Sequence, residues 1–268
     1  MQEKALAEFD TMVQQLSSHG IEVLVVEDTN EPVKPDAVFP NNWFCTFPSG
    51  VVSVFPMYAP NRRAEKRDDI LDWLADQFEV NNVEDWSEYE AEGHFLEGTG
   101  SMVIDHDNSI IYACISDRTS LSLLEKFAAR HGYHAIAFRA TDKAGRPVYH
   151  TNVVMCLGYG FAVICKDAIA DEMEQVAVTQ VLESTGRVPV YITLEQMHAF
   201  AGNMLQLQNK QGDLFIVISR SAWNALNDAQ RKQLSSYAMP LVMDVPTIEA
   251  VEGGSVRCMI AEIFLLRS

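Results

Sequence analysis

Four short polar segments hold the side chains whose types could do chemistry. The last of them, Gly253-Gly-Ser-Val-Arg-Cys258, places a cysteine behind a glycine pair and an arginine. Glycine carries no Cβ penalty at positive φ, so such a pair permits a tight turn and a close approach to a ligand. A neighbouring cation, Arg257, and the N–H groups of a turn favour a thiolate, which is the nucleophilic form of cysteine. Val148-Tyr-His-Thr-Asn-Val-Val-Met155 offers His150 and Asn152, two apart and therefore on one face if the segment is a strand. Phe95-Leu-Glu-Gly-Thr-Gly-Ser101 sets Glu97 before a glycine-rich turn, and Pro35-Asp-Ala-Val-Phe-Pro-Asn-Asn-Trp43 carries Asp36 and Asn42.

Taken singly, each has a simpler reading. Cys258 could be a packed thiol at the start of a terminal helix or strand, since free cysteine is among the most buried residue types. Asp36 is a common turn residue, Glu97 could cap a loop, and His150 could be a hydrogen-bonded structural histidine. Together they match the general pattern for a cysteine nucleophile, in which histidine and acids distant in sequence are brought to the thiol by the fold. No glycine-rich phosphate loop ending in Gly-Lys-Ser or Gly-Lys-Thr occurs. Gly254-Ser-Val-Arg-Cys258 does not complete the Gly-x-Ser-x-Gly elbow of a serine hydrolase.

The elements that must position these segments alternate short β-rich runs with amphipathic stretches. Residues 21–26, 51–55, 109–115, 161–165, 188–192 and 214–218 have strand length and β-branched content. Helical periodicity covers 4–17, 62–78, 120–131, 168–184 and 221–236, and Thr119-Ser120 reads as a capped helix start. A two-strand unit followed by a helix recurs around 36–78, 97–131, 150–184 and 203–236, a repeat of pattern that implies subunits arranged as a propeller or barrel. The acidic run Glu84–Glu92 reads as a solvated loop, and no linker divides the chain, so residues 1–268 form one domain.

Of the 268 residues, 48% are hydrophobic and 21% charged, as in an ordinary globular protein. The formal charge of −17 argues against nucleic acid or an anionic membrane as partner, and no apolar run reaches the length of a membrane span. The N-terminus lacks the apolar core of a signal peptide. Five cysteines without a Cys-x-x-Cys pair fit reduced thiols in a reducing, cytoplasmic compartment and give no zinc site.

With the four segments in this order, the chain resembles the guanidino-group-modifying (amidinotransferase, or pentein) superfamily of arginine deiminase and dimethylarginine dimethylaminohydrolase. Pro35–Trp43, Phe55-Pro-Met-Tyr-Ala-Pro-Asn-Arg-Arg63 and Gly254–Met259 are most similar to its citrulline-utilisation hydrolase branch. The resemblance runs from Ile21 to Phe264. It implies an α/β fold, a pseudo-symmetric five-bladed propeller of ββαβ units, and a reaction without metal or organic cofactor. It makes Cys258 the nucleophile, His150 the general acid/base, and Glu97 and Asp36 the acids that bind substrate nitrogens. By similarity of position, Arg63 and Arg118 are candidates for the α-carboxylate of a small amino-acid substrate. An arginine fork suits a carboxylate because it binds both oxygens. A homodimer is one assembly open to such a protein.

Three departures remove negative charge. Asn42 stands where many guanidine-binding relatives have aspartate, His150-Thr-Asn152 replaces His-x-Asp, and Glu97-Gly-Thr-Gly-Ser101 lacks a carboxylate at its end. A cationic guanidinium rewards carboxylate partners, whereas a neutral ureido group does not. Amides can also donate to a ureido oxygen, which carboxylates cannot do. These changes tilt the expectation toward citrulline, hydrolysed to ornithine, ammonia and carbon dioxide. An arginine- or methylarginine-directed hydrolase and an amidinotransferase are the enzymatic alternatives. A binding protein of this fold, like the ribosome anti-association factor, is the non-enzymatic one. A papain-like protease has its cysteine early in the mature chain, unlike Cys258. The chain opens directly on a helix where relatives have a strand, so the first unit reads as incomplete.

Overall fold

A computed structural model describes residues 1–268. Four ββαβ units follow one another, each a three-stranded sheet. The first unit is β1 (Phe44–Thr46), β2 (Val51–Val54), α2 (Asp68–Gln77) and β3 (Asn82–Asp85), preceded by α1 (Gln2–Ser18). The second begins with a single turn, α3 (Gly98–Ser101), and continues with β4 (Met102–Asp105), β5 (Ile110–Cys114), α4 (Leu121–His131) and β6 (His134–Phe138). The third repeats this plan: α5 (Thr151–Val154), β7 (Met155–Gly158), β8 (Phe161–Ile164), α6 (Glu172–Ser184) and β9 (Val188–Tyr191). After α7 (Leu194–His198), the fourth consists of β10 (Leu205–Gln208), β11 (Leu214–Ser219), α8 (Arg220–Ala225), α9 (Asp228–Ser235) and β12 (Met239–Met243). The last helix is α10 (Pro246–Glu252).

In every sheet the first two strands form an antiparallel hairpin and the third returns parallel to the second, through the helix. A parallel return needs such a crossover, which is why a helix recurs at this place in each unit. The middle strands are the most apolar: Phe161–Ile164 is buried throughout, as are Phe215–Ser219 of β11. The hairpins' first strands, β1, β4, β7 and β10, line a shared cavity of about 630 Å³ together with Arg257, Ala261, Glu262 and Phe264.

The two strands and helix read from the sequence recur in four units, each extended by a third, parallel strand, but a fifth sheet is not formed. Ile21–Val26, expected as a strand, pairs with no other segment, and Leu24, Val25 and Val26 are exposed. A strand exists through its ladder partner, and β-branched composition alone cannot supply one. The expected helix over 62–78 is split, with a 3₁₀ turn at Pro60–Glu65 before α2. The one over 221–236 breaks where Asn227 caps α9 by accepting from Gln230 N–H. The acidic run is not a solvated loop: Glu84 lies in β3 and pairs with Arg130 and His131, and Glu90 pairs with Lys66. No helix is long and apolar enough to cross a membrane.

Candidate active site

The polar segments converge where the single turns α3 and α5 lead into the inner strands. Glu97, fully buried, precedes α3. One carboxylate oxygen accepts from the Tyr58 amide at 2.9 Å. The other accepts from His150 Nε2 at 2.7 Å and from Arg118 Nη1 at 3.1 Å. The turn that aims it requires glycine at two positions. Gly98 has φ +47°, and a Cβ there would lie 2.3 Å from the Asn41 carbonyl oxygen. At Gly100 a Cβ would lie 2.4 Å from Asn42 Nδ2 and 2.9 Å from His150 Nδ1. The glycines therefore let the acid, the amide and the imidazole close on one another.

Burial pushes the Glu97 carboxyl up, but the His150 hydrogen bond, Arg118 and the Tyr58 amide outweigh it and hold it below its ordinary value. For His150, burial is the largest influence and pulls its pKa below the ordinary histidine value, against the opposing pull of Glu97. We therefore treat the pair as an ionised glutamate beside a neutral imidazole. Nε2–H donates to the carboxylate and Nδ1 keeps the lone pair, so Nδ1 is the atom able to take a proton.

His150 and Asn152 were expected on one strand face. Instead His150 occupies the position before α5, and the helical turn sends the two side chains to different partners. Thr151, between them, donates to Ser101 O and accepts from Cys114 N–H, fastening α5 to the second unit. Asn152 Nδ2 lies 3.4 Å from Cys258 Sγ. A second amide, Asn203 Nδ2, approaches the same sulfur at 3.3 Å. Cys258 itself sits in a turn, neither helix nor strand, with its N–H donating to Ser255 O at 2.9 Å. The Arg257 guanidinium turns away from the thiol, donating to Ile260 O and pairing with Glu262. The other four cysteines are buried and unbridged, and burial pushes their thiols up.

Asn42 and Asp36 meet at an arginine, and it is Arg62. Arg62 is buried, donates twice to Glu65 at 2.8 Å, lies 3.6 Å from Asp36, and donates from Nη1 to Asn42 Oδ1 at 2.9 Å. Arg63 points elsewhere, to Met57 O at 3.1 Å and Glu90 at 3.2 Å. Arg118 lies between the Tyr58 and Tyr149 rings, 5.7 Å from each centroid, and gives only Nη1 to Glu97. Beside Asp36, burial and the neighbouring carboxylate push Glu252 up to about 7. Among all these groups, no three His, Cys, Asp or Glu side chains are arranged to hold a metal ion.

Against this geometry, the family model described as eukaryotic N,N dimethylarginine dimethylhydrolase matches residues 1–265. The chain belongs to that family. Through it the chain is a member of the pentein superfamily. No curated protein matches it in sequence at a significant level.

Among solved structures it is similar to apo ArgZ, an arginine dihydrolase from the ornithine-ammonia cycle in Cyanobacteria. The TM-score is 0.75 at 17% identity, over 99% of this chain and 38% of ArgZ, so the chain spans well under half of that protein. Against the N-terminal domain of ArgZ, as a cysteine-to-serine variant bound to substrate, the TM-score is 0.76 at 17% identity, covering 99% and 89% of the two chains. A dimethylarginine dimethylaminohydrolase variant, as its adduct with S-methyl-L-thiocitrulline, gives 0.69 at 16% identity, covering 100% and 90%. At these identities the likeness is one of fold.

Sequence reasoning about this family member missed Arg62, Glu65, Glu252 and Asn203. Arg62 and Glu65 sit three apart in a stretch expected to be helical, where nothing local marks them as buried, and Asn203 lies in an unremarkable turn. A glycine at 202 was the available signal, since a Cβ there would lie 2.2 Å from Val153 O.

Proposed function

We propose that the enzyme hydrolyses the ureido group of citrulline, giving ornithine, ammonia and carbon dioxide. The observation that carries this reading is the orientation of Asn42. Arginine only donates, so Asn42 must turn Oδ1 toward Arg62, and its NH₂ group then faces the Glu97–His150 side. That Nδ2 is buried and has no hydrogen-bond partner. A buried unpaired donor costs about 1–3 kcal/mol until something accepts from it. The oxygen of a ureido group can accept, whereas a guanidinium has only donors to offer. Glu97, the nearest carboxylate, has its lone pairs taken by Tyr58, Arg118 and His150, which leaves less negative charge for a cation.

In the reaction, the Cys258 thiol passes its proton to Nδ1 of His150 as the sulfur attacks the ureido carbon, and the C–N bond breaks as the imidazolium gives that proton to the departing nitrogen. Water, losing its proton to the same imidazole, then cleaves the carbon–sulfur bond. One water is consumed overall, and carbamate formed on the way falls apart to ammonia and carbon dioxide. Ionised Glu97 holds the imidazole in the Nε2–H tautomer and stabilises the imidazolium each time it forms. Arg118, with Nε and Nη2 unspent on protein partners, takes the substrate α-carboxylate, and Asp36 with Glu252 faces its ammonium.

The family description favours a second reading, in which a methylated arginine loses its alkylamine. The test is ammonia and amine release from citrulline, arginine, methylated arginines and agmatine, with Cys258→Ala as the control. Citrulline turnover lost in the control supports the first reading. Turnover of arginine or methylarginine in preference to citrulline overturns the substrate while keeping the cysteine chemistry.

A further inference from the structure

Nothing cationic faces the sulfur of Cys258, yet the sulfur has two donors. Asn152 Nδ2 stands at 3.4 Å and Asn203 Nδ2 at 3.3 Å. Asn203 is fully buried, and its orientation is set by the backbone on both sides. Its Oδ1 accepts from Arg257 N–H at 3.1 Å, and its Nδ2 also donates to Asn152 O at 3.0 Å. An amide whose oxygen is held by an N–H must present NH₂ on its other side, which is the sulfur side.

The turn that delivers Asn203 is built at a cost. Phe200, which is not glycine, adopts φ +64°, a left-handed conformation that costs an L-residue about 1–2 kcal/mol. Gly202 lies against the backbone of α5 so closely that no side chain fits. Strain of this kind persists where the surrounding structure fixes it, and it gathers at functional sites. One side chain thereby ties α5, the turn before β10 and the cysteine turn to a single sulfur.

We propose that Asn203 is a catalytic residue that fixes the position of the Cys258 sulfur and stabilises negative charge on it as it attacks, with Asn152 as the second donor. This rests on the reading of Cys258 as the nucleophile. Hydrogen bonds to the charged form of an acid favour that form, so two amide donors do here what the expected Arg257 cation does not.

The test is the pH dependence of Cys258 alkylation by iodoacetamide, read by intact mass for the native enzyme, Asn203→Ala and Asn203→Asp. The Cys258→Ala variant gives the background from the four buried thiols. Asn203→Asp is the discriminating substitution because it keeps the oxygen that accepts from Arg257 N–H. It removes the donor to sulfur and sets a carboxylate beside it.

Asn203→Ala should slow alkylation at pH 7 by about tenfold and move the half-maximal pH upward. Asn203→Asp should slow it further, by about a hundredfold, and kcat should fall with it. An Asn203→Asp profile like that of the native enzyme overturns the proposal. So does a uniform slowing of both variants at every pH, which would mark a merely structural role. Should Asn203→Asp fail to fold, the Asn203→Ala midpoint decides by itself. Turnover persisting in Cys258→Ala would instead remove the nucleophile reading, whatever the alkylation profiles show.

Discussion

Replacing Asn42 with aspartate changes one NH₂ group to an oxygen with almost no change of shape, and the structure sets what should follow. The side chain is 2% exposed, and its Oδ1 receives Arg62 Nη1 at 2.9 Å, an interaction that aspartate keeps. Its other terminal atom, unpartnered in the native site, becomes a second acceptor facing the imidazole side. Arg62 is already paired with Glu65 at 2.8 Å and close to Asp36 at 3.6 Å. One arginine against two carboxylates becomes one against three, so the new charge is only partly neutralised.

Toward citrulline, the loss of a donor to the ureido oxygen should cost about 1–3 kcal/mol. Toward arginine, a carboxylate facing a guanidinium should return a charge-assisted hydrogen bond of about 1.5–3 kcal/mol. Taking about 1 kcal/mol from each side, the ratio of kcat/KM for citrulline over arginine should fall by at least about 30-fold. The assay is initial-rate ornithine and ammonia formation from each substrate, with thermal unfolding to confirm a folded variant. A ratio unchanged within threefold in a folded Asn42→Asp enzyme would refute the argument that the Asn42 NH₂ group selects a neutral head group.

Three further outcomes are expected. Cys258→Ala should lower kcat by about ten-thousandfold or more in a variant that still folds, with a Tm loss of a few degrees because Asn152 Nδ2 loses its partner. His150 carries a pKa below its ordinary 6.5 in the fold, so its contribution to stability is complete above that pH and is lost as pH falls below it. Tm should fall as pH is lowered below 6.5, and His150→Gln should flatten that slope; an equal slope in the variant would show that other groups carry it. Gly98→Ala must place a Cβ 2.3 Å from Asn41 O in a left-handed conformation. It should cost about 3 kcal/mol or more, a Tm loss of about 6–12 °C, and should cut turnover by displacing Glu97; a Tm within 2 °C of native would contradict the close approach.

The sequence by itself determined the four repeated units of two strands and a helix, and the candidacy of Cys258, His150 and Glu97. Apolar runs such as Phe161–Ile164 and amphipathic stretches such as Leu121–His131 carry their periods locally, and period 2 or 3.6 needs no knowledge of distant chain. Cys258, His150 and Glu97 were legible because each stands in an unusual local setting of glycines and polar neighbours.

Tertiary structure alone decided where the side chains point. It gave Ile21–Val26 no partner, chose Arg62 over the adjacent Arg63, turned Arg257 away from the thiol and brought Asn203 onto it. It also fixed the amide flip of Asn42, on which the substrate reading depends. Such outcomes are settled by contacts between residues far apart in the chain, 55 positions from Asn203 to Cys258 and 106 from Asn152 to Cys258. A buried donor takes whichever acceptor the packing brings within reach, and no periodicity or spacing in the chain encodes that choice.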